Sequence, residues 1–157
     1  MFWTIQFSQL CYTTANALNA SNGVVRWIIP SKTGDYFETA AKYSDGNVFA
    51  AMDSQVFSIN PLAGKINWQQ YDINSTRVLV IGSPVFDSKT VYTVSREVGG
   101  SNRLMAADKS TGAFKYSTQP PYRIMQAFSV VNNRIYYMSA DYVVTLGAHV
   151  SMYLPPH

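Results

Sequence analysis

The feature that most limits what this chain can fold into is a motif that occurs three times in register. Ala17, Asn19, Gly23 and Trp27 share one spacing with Ser58, Asn60, Gly64 and Trp68, and with Ala106, Asp108, Gly112 and Tyr116. Each set has a small residue, Asn or Asp two positions on, Gly four further and an aromatic four beyond that. Gly64 follows Gly23 by 41 residues and Gly112 follows Gly64 by 48, and the aromatics keep both intervals. A short side chain that bonds the backbone of the following turn, then a glycine able to take positive φ, specify a tight hairpin. The aromatic on the next strand can pack against a neighbouring unit while its polar edge finds a hydrogen-bond partner. One copy would be ordinary hairpin chemistry, but three copies in register mark a repeat architecture.

Each repeat has room for four strands. In the second, Phe37–Tyr43, Asn47–Met52, Val56–Asn60 and Lys65–Tyr71 read as strands, with Asp45-Gly46 as the turn between the first two. In the third, Ser83–Phe86, Val91–Val94, Leu104–Ala107 and Ala113–Ser117 do the same. The interval between repeats fits the roughly 40 to 50 residues of a four-stranded propeller blade. The seven extra residues of the third repeat are expected in the loop Glu97–Ser101, where Gly99-Gly100 reads as an expanded hairpin tip. In the first repeat Tyr12 lies five residues before Ala17, whereas Phe49 lies nine before Ser58, which predicts a shortened central hairpin.

A fourth repeat begins with Ala127–Val131, the turn Asn132-Asn133, Arg134–Met138 and Tyr142–Leu146. On the second repeat's spacing its small residue falls at Thr145, its glycine at Ser151 and its aromatic at Pro155, and Pro155-Pro156 cannot form interior strand. The expected fold is all-β, a partial β-propeller of about three and a half four-stranded antiparallel blades. It is read as a single incomplete domain, with blades at approximately 1–30, 31–72, 78–118 and a partial 124–147, and an irregular tail at 148–157.

The composition agrees. Aromatics make up 14% and charged residues only 13% of the 157 residues, a balance that suits half-buried pleated surfaces better than long helices. The net charge of +3 comes from scattered lysines and arginines with no basic run, so nucleic-acid binding is not indicated. No stretch approaches the roughly 18 apolar residues of a membrane span. Residues 1–6 carry no positive charge and lead into no long apolar stretch, so no signal peptide is visible.

The motif resembles the tryptophan-docking repeat of pyrroloquinoline-quinone-type propellers, which runs Ala, any residue, Asp or Asn, two of any kind, Thr, Gly, three of any kind, Trp. Ser83-Pro84-Val85 and Val91-Tyr92 supply the strand pair that commonly precedes it. The resemblance covers about residues 1 to 147. It implies two alternatives. One is a non-enzymatic interaction scaffold that meets a protein partner, or associates with itself to complete the propeller. The other is a segment of a quinone-dependent alcohol or sugar dehydrogenase whose catalytic residues lie elsewhere. The resemblance also leans towards an extracytoplasmic location.

The dehydrogenase reading would bring pyrroloquinoline quinone, a calcium site of Glu, Asn and Asp, a catalytic Asp and, in many members, an adjacent-cysteine disulfide. With Cys11 the single cysteine, that disulfide cannot form within these residues. Asp45, Asp53, Asp87, Asp108 and Asp141 fall at or near predicted turns, where Asp bonds local backbone. His149 and His157 have no Cys or carboxylate at ligand spacing. No catalytic, cofactor-binding or metal-ligating residue is therefore assigned, and no cofactor is expected outside the dehydrogenase alternative. The sequons at Asn19 and Asn74 matter only in a secreted protein, and Asn19 is already claimed by its turn.

Overall fold

The computed structural model describes residues 3–4, 14–30, 39–52, 55–71, 78–80, 82–97, 102–120, 124, 128–138 and 143–146. Cys11, Tyr12, Asp53, the sequon at Asn74, Val98–Ser101, Asp141, His149, His157 and the tail from residue 148 lie outside the described residues. Every regular element among those described is a strand, in four antiparallel sheets. The first sheet holds β1 (Trp3–Thr4), β2 (Thr14–Asn19) and β3 (Val25–Pro30), and the second β4 (Lys42–Ser44), β5 (Asn47–Met52), β6 (Gln55–Ile59) and β7 (Ile66–Tyr71). The third holds β8 (Val78–Val80), β9 (Val85–Phe86), β10 (Thr90–Glu97), β11 (Asn102–Asp108) and β12 (Phe114–Thr118). The fourth holds β13 (Phe128–Val131), β14 (Arg134–Met138) and β15 (Val143–Leu146). The molecule is a partial propeller, and each sheet is a blade.

Turn chemistry sets these hairpins. Asp45 and Gly46 both take positive φ between β4 and β5, and Asn132 and Asn133 do so between β13 and β14. Two successive left-handed residues give the turn whose twist matches that of the flanking strands. In the third blade the innermost strand is split, because β8 and β9 both pair with β10 on either side of Gly82-Ser83-Pro84. Pro84 has no N–H to give the ladder, so pairing is interrupted there. Sequence reasoning placed only Ser83–Phe86 in this position and missed Val78–Val80.

The first blade departs from expectation. Its central hairpin is not shortened: Thr4 pairs with Leu18, fourteen residues on, whereas the equivalent pair in the second blade, Val48 and Ile59, is eleven apart. Tyr12 is not where the pairing strand lies, since that strand is Trp3–Thr4, so its distance from Ala17 said nothing about the hairpin. The third blade's extra length is also distributed differently. Val91 pairs with Ala107, sixteen residues on, so five of the seven extra residues belong to this hairpin. They lengthen β10 and β11 as paired strand up to Arg96 and Asn102 rather than only swelling a loop.

Successive blades stack face to face, and each junction has its own apolar cluster. Val48, Ala50, Phe57 and Ile59 of the second blade meet Trp27 and Ile29 of the first. Phe49, Val56 and Trp68 of the second meet Val91, Met105, Ala107, Phe86 and Phe114 of the third. Tyr92, Val94, Leu104 and Ala106 of the third meet Phe128, Ile135 and Tyr137 of the fourth. Alternate residues of one strand thus serve opposite neighbours, as the period-two pleat dictates.

Candidate functional site

The motif residues converge on one repeated construction, in which the turn of one blade receives the aromatic of the blade before it. In each repeat the Asn or Asp closes the turn from both ends. The N–H of Asn19 donates to the Val24 carbonyl and that of Gly23 to the Asn19 carbonyl; Asn60 with Lys65 and Gly64, and Asp108 with Ala113 and Gly112, repeat both bonds. The side-chain oxygen then gathers the N–H groups inside the turn. Asn60 Oδ1 accepts from Leu62 and Ala63, and Asp108 Oδ1 accepts from Ser110 and Thr111 at 3.0 Å each and from both of their hydroxyls. Asn19 Oδ1 accepts from the N–H and hydroxyl of Ser21. Gly23, Gly64 and Gly112 have φ of 71°, 66° and 75°, the left-handed region that L side chains avoid.

Across the ladder the aromatic stands opposite the motif's small residue: Trp27 opposite Ala17, Trp68 opposite Ser58 and Tyr116 opposite Ala106. One step towards the turn the register shifts in all three repeats, so that Leu18 pairs with Val25, Ile59 with Ile66 and Ala107 with Phe114. Arg26, Asn67 and Lys115 are therefore bulge residues. The bulge turns the strand over: Ile66 packs towards the first blade and Trp68, two positions later, towards the third.

Docking follows from this aim. Trp27 Nε1 donates to the Pro61 carbonyl at 2.9 Å, and Trp68 Nε1 to the Lys109 carbonyl at 3.2 Å. The indoles lie directly on the next blade's glycine, since a Cβ on Gly64 would come within 2.5 Å of Trp27 Cγ and one on Gly112 within 2.6 Å of Trp68 Cδ2. Phe49 supports Trp68 from beneath at a ring-centroid distance of 5.8 Å. Gly23 has no such cover, and Tyr116, at the end of the series, is 43% exposed.

A second clamp joins the second and third blades, and the motif spacing gave no sign of it. Lys109, buried to 8% exposure, places its ammonium against the Asp45 carboxylate and donates to Ser44 Oγ and the Asp87 carbonyl, beside the Phe86 ring. The hydrogen bond and charge of Lys109 hold the Asp45 carboxyl below its ordinary range. Partial burial pushes Asp87 up, but the Tyr92 hydroxyl and the N–H groups of Lys89 and Thr90 outweigh it and leave the carboxyl lowered. Burial, helped by that carboxylate, raises Tyr92 well above the usual phenol range. The Ser110 hydroxyl, with the Thr111 N–H, holds Asp108 well below an ordinary carboxylate.

The three aspartates whose side chains are described, Asp45, Asp87 and Asp108, are thus each committed to building a turn or a junction. Among the described residues no three His, Cys, Asp or Glu side chains gather in a way that could hold a metal ion, and no helix is long and apolar enough to cross a membrane. These residues do not fit the calcium and quinone set that the dehydrogenase resemblance would bring.

Residues 52–148 match the family model described as outer membrane protein assembly factor BamB. No curated protein sequence matches the chain. Among solved structures, BamB from Moraxella catarrhalis superposes with a TM-score of 0.61 at 19% identity, covering 89% of this chain and 44% of that one. Quinohemoprotein alcohol dehydrogenase ADHIIG from Pseudomonas putida HK5 gives 0.70 at 13% identity, covering 98% of this chain and 32% of its own. The computationally designed Ika4 protein gives 0.63 at 13% identity, with 91% and 88% covered. The chain therefore spans less than half the length of either natural protein, and at these identities the likeness is one of fold.

Proposed function

The chain belongs to the family of outer membrane protein assembly factor BamB, of the pyrroloquinoline-quinone-like propeller superfamily, and from that premise we propose that it is a non-enzymatic scaffold segment that presents propeller surfaces to a protein partner. The observation that carries this reading is the commitment of its chemistry-bearing side chains. Asp45, Asp87 and Asp108 are bound into turns and a junction, and the motif's indole N–H groups are bound to carbonyls. What remains for function is shape and surface. The family description, which names assembly at the outer membrane, points to a component of a membrane-protein assembly machinery as the class of partner.

The superposition on a quinohemoprotein alcohol dehydrogenase over 98% of the chain favours a second reading, a dehydrogenase segment whose catalytic groups lie outside these residues. Titration calorimetry of the purified chain with pyrroloquinoline quinone and calcium, alongside dye reduction with an alcohol, separates the two. The scaffold reading expects no saturable heat and no reduction above a protein-free control. Calcium-dependent quinone binding would overturn it.

A further inference from the structure

The blade-to-blade junction occurs three times inside the chain, and its two unmatched halves lie at opposite ends. On the leading side, Val25 stands where Ile66 and Phe114 pack beneath the preceding blade's indole, yet it is 50% exposed. Leu18 stands where Ile59 and Ala107 are buried, and Gly23 lacks the indole that covers Gly64 and Gly112. On the trailing side, Tyr136 and Met138 of β14 stand where Phe49 and Ala51, and Tyr92 and Val94, are buried under the next blade. Here Met138 is 54% exposed. The fourth blade has not folded back on the first, because both faces are open.

The two faces also suit each other in polarity. Phe49 shares an apolar cluster with Met105 across the second junction. The residue at Met105's position in the first blade is Asn16, whose amide donates to Thr14 Oγ1, and the residue at Phe49's position in the fourth is Tyr136. A phenol facing an amide replaces a phenyl facing a thioether. Polar meets polar at that level, and apolar meets apolar at Met138, Leu18 and Val25.

We propose that these faces form one further junction between two copies of this chain, head to tail, and that two copies close a ring. Four sheets per chain make eight in the pair, within the four to eight blades at which propellers close. A head-to-tail interface yields a closed ring when its rotation fits and an open polymer when it does not. The fourth repeat brings Pro155 rather than an aromatic to the docking position, so this junction lacks the indole clamp and is weaker than those within the chain. The proposal stands apart from the scaffold reading, because it concerns mass rather than partner or activity.

Light scattering coupled to size exclusion, from low to high micromolar concentration, tests it. The chain is expected to reach twice its 17.5 kDa mass and go no further. Val25→Lys and Met138→Lys should each return it to monomer, since either places an ammonium in the junction. Tyr71→Lys, at an exposed aromatic off these faces, should leave the dimer intact. All three sites are exposed in the single chain, and circular dichroism with a cooperative unfolding transition confirms that each variant folds. A monomer at every concentration, an open-ended polymer, or a dimer indifferent to both junction substitutions overturns the proposal.

Discussion

At Asp108 one carboxylate oxygen collects four donors, whereas Asn19 and Asn60 close the equivalent turns with a neutral amide. Only the third turn can therefore titrate. Its folded carboxyl lies below the unfolded value, so the unfolded state binds more protons on acidification. The contribution is complete above the unfolded value of about pH 4 and is lost progressively as pH falls towards the folded one. Asp108→Asn should keep the turn, as the other two repeats do, and flatten part of the acid limb. Asp45 and Asp87, also lowered, supply the remainder. Urea midpoints measured from pH 7 downwards check this, and equal slopes in parent and variant would show that Asp108 does not carry the effect.

At the scale of the element, the docking turn is a joint between two blades, and its glycines are not equivalent. Gly23→Ala meets no neighbour and bears only the left-handed backbone, a cost of about 1–2 kcal/mol. Gly64→Ala bears the same cost and also drives a methyl into Trp27, adding roughly 1–3 kcal/mol of overpacking. Chemical denaturation should rank Gly64→Ala well below Gly23→Ala, and a reversed order would contradict the docking of Trp27 on that turn. Sequence reasoning could find these turns because Asn, Gly and Trp advertise their chemistry at fixed offsets. It could not find the bulge at Arg26, Asn67 and Lys115, because an unpaired residue changes no residue type. Nor could it find the Lys109 clamp, which depends on which side of a turn faces the neighbouring blade. Tyr12 misled for a related reason: an aromatic was taken to mark a strand that the backbone pairing places at Trp3–Thr4.

At the scale of the whole molecule, protection should follow the number of covered faces. β5, β6, β10 and β11 have neighbours on both sides, whereas the first and last sheets have one. Hydrogen exchange read by mass spectrometry on dilute chain should therefore be slowest in β5, β6, β10 and β11 and fastest in β3 and β14. Uniform protection across the four sheets would mean that the blades open only together. The partial propeller was legible at this scale because the repeat interval alone counts the blades.

The bulge before each aromatic acts on the chain as a reading frame acts on a gene. The repeats differ by seven residues in length and the molecule absorbs the difference, since a hairpin far from the joint can lengthen freely. The four residues from Gly64 to Trp68 have no such freedom. Losing one there would leave Trp68 on the same strand but facing the first blade instead of the third. Insertions and deletions should therefore accumulate on the strand tips opposite the docking turns, and a chain that grows by duplicating blades must copy that short interval without error.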